Sequence, residues 1–171
     1  MFTLLHSSLP ALRHLTITPY DDVSVPTSLF SQFIDVHGEK LTSLHLYTVK
    51  QWPTALFPSP TTLLQTCFNL YHLSLELPLP VLSLSSDYLR HSLQILSIPR
   101  PDAEFLNALE ALLPKLPSLQ FVRTRDVRWL RSGMSSRAQQ AGVQGEMVAW
   151  RKRLARRGIQ LVDSEWSLNA G

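Results

Sequence analysis

One cysteine, Cys67, stands in a chain of 171 residues, so no disulfide can form within it, and no Asn-x-Ser/Thr acceptor is present. Both absences point to a reducing, intracellular setting. Charge is sparse at 17% of residues, and none falls between Gln51 and Leu75. That stretch still does not read as a membrane span, because Pro53, Pro58 and Pro60 interrupt it and Thr, Ser, Gln and Asn fill it. The apolar start, Met1 to Leu5, has no basic flank and runs into His6, Ser7, Ser8 and Pro10, which argues against a signal peptide and for a piece of the fold. The few glycines form no G-x-G-x-x-G, P-loop or G-x-S-x-G pattern, and H-E-x-x-H is missing too. The expectation is a chain that is not an enzyme and carries no cofactor.

What is present is a recurring phrase. Leu12-x-x-Leu15-x-Ile17 returns as Leu41-x-x-Leu44-x-Leu46, Leu70-x-x-Leu73-x-Leu75 and Leu93-x-x-Leu96-x-Ile98, with a worn copy at Leu119-x-x-Val122. The first leucines lie 29, 29, 23 and 26 residues apart. L-x-x-L-x-L at this period resembles the leucine-rich-repeat signature, in which each unit buries its apolar face only against its neighbours. The expected fold class is therefore α/β: a solenoid with a parallel sheet on the concave side and helices or short turns on the convex side. A chain of this length can bury about 68–70% of its unfolded surface, enough for one domain.

Period-two alternation sends Leu15, Ile17, Leu44, Leu46, Leu73, Leu75, Leu96 and Ile98 inward and aligns the residues between them in outward columns. The columns read His14, Ser43, His72, Ile95, Phe121; then Thr16, His45, Ser74, Ser97, Arg123; then Thr18, Tyr47, Glu76, Pro99, Arg125. Parallel strands need crossovers. Helical spacing predicts them over 28–37, with Gly38 as a stop, over 61–67 and over 102–113; only a short turn fits around 87–91. Residues 1–127 thus make about five repeats of a single domain spanning 1–171, with 128–142 a polar loop and 143–171 a C-terminal cap. In the cap, Val143, Met147, Trp150 and Leu154 line one side of a helix, Gly158 ends it, and 159–162 form a last strand. No equivalent cap precedes Leu12, the mark of a later part of a longer architecture or of a truncated gene product.

Charge is lopsided. Residues 1–122 hold six basic and nine acidic side chains, net −3, whereas 123–171 hold ten and four, net +6. The concave columns nominate a partner-binding set of His14, Thr16, His45, Tyr47, His72, Glu76, Phe121, Arg123 and Arg125. With Arg128 and Arg131 following in the adjoining loop, the expected partner is a protein with an acidic or phosphorylated segment. His14, His45 and His72 on neighbouring strands make a metal conceivable, but zinc wants four ligands and Cys67 belongs to the opposite side, so hydrogen-bonding histidines are the better reading and no metal is expected. Cys67, beside Leu63 and Leu64, reads as a small buried hydrophobe. The basic run Arg151 to Arg157 reads as the solvated face of the cap; no aromatic platform accompanies it, which counts against single-stranded nucleic acid. Trp52 reads as a loop residue packed back onto the repeats.

The strand entries resemble those of F-box leucine-rich-repeat proteins, particularly the large fungal set. Leu64-Gln65-Thr66-Cys67-Phe68-Asn69-Leu70-Tyr71-His72-Leu73-Ser74-Leu75 is similar to their L-x-x-C-P-N-L-x-x-L-x-L phrase, and residues 33–44 resemble their helix–His-Gly–strand join. Leu9-Pro10-Ala11-Leu12 and Leu116-Pro117-Ser118-Leu119 fit the same entry. The resemblance implies a non-catalytic, substrate-recruiting part of a ubiquitin ligase, whose adaptor would be met only through an N-terminal F-box that this chain does not contain. The alternative is an interaction module unrelated to ubiquitin that offers its basic C-terminal face to an acidic protein or nucleic acid. Phe68 replaces the family proline, and Tyr20, Val49, Pro78, Pro101 and Val127 replace its post-strand Asn or Cys, so the turns there should be irregular.

Overall fold

The alternation inside each leucine phrase becomes a strand: β1 (His14–Ile17), β2 (Ser43–Leu46), β3 (His72–Ser74), β4 (Ile95–Ile98) and β5 (Phe121–Thr124), with β6 (Gln160–Val162) beyond them. The computed structural model describes residues 2–18, 27–47, 61–77, 79–85, 90–99, 101, 103–124 and 143–166. All neighbouring strands are parallel, and the sheet keeps chain order from β1 to β6. The result is an α/β domain with a sequentially ordered parallel sheet and interspersed helices. The polar loop expected at 128–142 and Trp52 lie outside the described residues.

Register follows the leucines. Leu15, Leu44, Leu73, Leu96, Val122 and Leu161 align across the sheet, flanked by the row His14, Ser43, His72, Ile95, Phe121, Gln160 and the row Thr16, His45, Ser74, Ser97, Arg123, Val162. The first two outward columns read from the sequence are therefore the observed ones. The inward row shares its core with helices α2 (Thr27–His37), α3 (Leu63–Thr66), α4 (Ala103–Leu112) and α5 (Val143–Ala155), which contribute Phe30, Ile34, Leu63, Leu64, Phe105, Leu106, Leu109, Trp150 and Leu154. Met1 to Leu5 was expected to be structured, and α1 is indeed a single turn, Phe2–Leu5. Its Leu4 carbonyl lies 3.3 Å from His37 Nε2.

Three details differ from expectation. Leu12, Leu15 and Ile17 are only half-buried, whereas their counterparts in the next three repeats are enclosed. α4 gives way at Leu113 to a 3-10 turn, Leu113–Lys115, since Pro114 has no N–H to continue the α ladder. Of the β3–β4 crossover, residues 79–85 are neither helix nor strand: Leu82 and Leu84 plug into the core, and the Lys115 ammonium donates to the Leu84 and Ser85 carbonyls at 2.8 and 3.0 Å. The turn expected around 87–91 falls mostly outside the described residues. At the far end Gly158 adopts φ 74°, the left-handed conformation that closes a helix.

Alignment between strands is fastened where each begins. The Arg13 carbonyl accepts the N–H groups of both Thr42 and Ser43 at 2.8 and 3.0 Å. Thr42 does the same for Tyr71 and His72, Tyr71 for Gln94 and Ile95, and Gln94 for Gln120 and Phe121. Side chains reinforce these entries: Asn69 Nδ2 donates to the Glu39 carbonyl at 2.8 Å, and the Ser92 hydroxyl reaches the Phe68 and Leu70 carbonyls at 2.8 and 3.0 Å. Beneath them His91 lies 3.0 Å from the Leu64 carbonyl through Nε2 and accepts the Leu93 N–H on Nδ1, which fixes its neutral tautomer.

Candidate functional site

Among the described residues, helices cover one face of the sheet and none lies over the other, the open face. On that open face His14 and Thr16 are exposed on β1, and Tyr47, just past β2, is 48% exposed with its N–H held by the Ile17 carbonyl. His45 and His72 are half-buried, their rings edge to face with centroids 4.4 Å apart. Each is tied to a serine: His45 Nε2 to Ser43 Oγ at 2.7 Å, and His72 Nε2 to Ser97 Oγ across the strand at 2.9 Å. Ser74 and Ser97 point to the same face as these rings yet are buried, so they form its floor. Glu76 and Phe121 are half-buried near the ends of their strands. Arg125, Arg128 and Arg131 lie outside the described residues.

Burial above all, then the neighbouring His45 and Arg123, lowers the His72 pKa to about 4. The ring is thus a neutral hydrogen-bonding group at ordinary pH. His14 stands apart, aligned with Ser43 and not with His45, so the three histidines do not converge. Among the described residues no three His, Cys, Asp or Glu side chains gather as a metal site. Cys67 is buried on the core side, and burial, with Asp35 second, pushes its thiol up to about 12. It is a packed hydrophobe and a poor nucleophile.

Arg123 departs most from the reading of its column as free cationic surface. Its Nη2 donates to the Ser164 carbonyl at 2.5 Å, and its guanidinium carbon lies 5.2 Å from the centre of the Trp166 ring. Trp166 also meets Phe121 edge on at 5.7 Å. The turn after β6 therefore folds back onto the end of the open face, a contact that carries no periodic signal in the sequence. On α5 Lys152 and Arg153 are exposed, as are Arg156 and Arg157 in the turn that follows it, and Arg153 pairs with Glu110 at 2.9 Å. Among the described residues no helix is long and apolar enough to cross a membrane. Comparison with protein-family models, with characterised proteins and with solved structures finds no match to this chain.

Proposed function

We propose that this chain is a non-catalytic, leucine-rich-repeat-type module that binds a protein segment across the open face of its sheet. The observation that carries the reading is the face itself: aligned rows of His, Phe and Arg side chains above a buried serine floor, with Tyr47 just past β2 and, among the described residues, no helix over them. Six strands about 4.8 Å apart span roughly 24 Å, and three residues per strand add roughly 13 Å, a strip suited to an extended segment more than to a broad globular surface. His14, Thr16, His45, Tyr47, His72, Glu76, Phe121, Arg123 and Arg125 are its proposed contacts. The resemblance of the strand entries to F-box leucine-rich-repeat proteins supports the finer reading, recruitment of a substrate to a ubiquitin ligase.

A photo-crosslinking residue at Tyr47 should capture a partner that the same residue at Asn107, exposed on α4, does not. Equal capture from both positions would refute open-face binding. The ubiquitin reading further requires that the captured protein be ubiquitinated in cells and accumulate when this chain is removed. A second reading is favoured by the exposed Lys152 of α5 with Arg156 and Arg157 just past its end: an acidic partner docks on the cap, and reversing those three charges then abolishes capture while open-face substitutions do not.

A further inference from the structure

The turn that follows β6 is built to sit on the open face. Asp163, 8% exposed, accepts the Glu165 N–H on Oδ1 at 2.8 Å and the Trp166 N–H on its carbonyl at 3.2 Å. Those two bonds deliver the Ser164 carbonyl to Arg123 and the Trp166 ring to both Arg123 and Phe121. The fit is imperfect in two ways. Trp166 has φ 62°, the only positive φ of a non-glycine among the described residues, a conformation that a bulky side chain adopts only at a cost. Arg123 Nε is buried with no hydrogen-bond partner among the described residues, because a single neutral carbonyl satisfies only Nη2. A carboxylate presented to that edge of the guanidinium would engage Nε and Nη2 together, as a shorter and stronger charge-assisted pair.

We propose that Phe121 and Arg123 form a subsite for a peptide carrying a carboxylate two residues ahead of an aromatic side chain, and that Ser164 to Trp166 occupies the subsite until such a peptide displaces it. The inference rests on the open-face reading above and names the chemistry that face selects. The carboxylate replaces the Ser164 carbonyl and fills the orphaned Nε, the incoming ring replaces Trp166 against Phe121, and the released Trp166 relaxes to an ordinary φ. The 45% exposure of Trp166 leaves a path for the exchange.

The probe is a fluorescein-labelled peptide, Ala-Ala-Asp-Gly-Trp-Ala, with an Asn-for-Asp counterpart, titrated by anisotropy. Trp166→Ala should bind the Asp peptide at least about tenfold more tightly than the wild-type chain. Adding Arg123→Gln, or changing to the Asn peptide, should reverse that gain, and Arg123→Lys should keep only part of it, since an ammonium cannot form the fork. Thermal melts matching the wild type certify that the arginine variants fold. Unchanged affinity in Trp166→Ala, or equal binding of the two peptides, overturns the proposal. If the peptide results fail while Tyr47 still crosslinks its partner, the subsite falls and open-face binding stands. If the peptide binds as expected and Tyr47 captures nothing, the subsite stands alone.

Discussion

His72 and His91 are held neutral by different surroundings. Burial lowers both; for His91 the carbonyls of Leu64 and Cys67 pull the other way, and for His72 the nearby His45 and Arg123 add to the effect. Because the folded pKa lies below the unfolded value of about 6.5, the unfolded chain takes up protons first as pH falls. Their contribution is present in full above about pH 6.5 and is lost as pH falls towards the folded values, about 4 for His72. Denaturant midpoints should therefore drop between about pH 7 and about pH 5, and His72→Gln should flatten that slope; a slope unchanged in the variant refutes the assignment. Core residues set the larger scale. Leu44, Leu73 and Leu96 are 0% exposed, and truncating any one to Ala should cost about 2–5 kcal/mol in equilibrium unfolding. Leu15→Ala, at the half-buried end of the same row, should cost less.

At the scale of elements, glycine shows how a right position can have another cause. Gly38 reads as a helix stop, and α2 does end at His37, but what Gly38 supplies is clearance: an added Cβ would lie 2.8 Å from Cys67 Sγ, 3.2 Å from Thr66 Cγ2 and 3.3 Å from Ile34 Cγ2. Gly38→Ala should cost about 1–3 kcal/mol, and part of that should return with Cys67→Ala in a double-mutant cycle. Gly158 is the converse: at φ 74° with nothing within 4 Å, its replacement by Ala should cost about 1 kcal/mol through the backbone alone, with no neighbour able to relieve it. Strand register was legible because every phrase repeats the same leucine spacing, so aligning leucines aligns the residues between them. Helix positions followed from apolar spacing and Pro114. The Asp163 to Trp166 turn was not legible, because one left-handed residue and contacts some forty positions away determine it. The part played by Asn69 and Ser92 was hidden for a related reason, since both bond to carbonyls in the preceding repeat.

Across the whole molecule, enclosure steps up after β1: Leu12, Leu15 and Ile17 are partly open, whereas Leu41, Leu44, Leu70, Leu73, Leu93 and Leu96 are sealed. In a sheet whose strands touch only their sequence neighbours, stability is shared locally. Native-state hydrogen exchange should therefore release the β1–β2 amides before those of β3–β4, and uniform protection would contradict this. The paired N–H contacts at the strand entries carry a different implication. Each carbonyl named from Arg13 to Gln94 fixes the following strand as it begins, so the alignment is set at the strand entries and not by the length of the chain between them. Repeats of 29, 29, 23 and 26 residues coexist in one sheet for that reason. A crossover in such a design can lengthen or shorten, provided it still supplies its core residues, while the opposite face keeps its pattern of side chains.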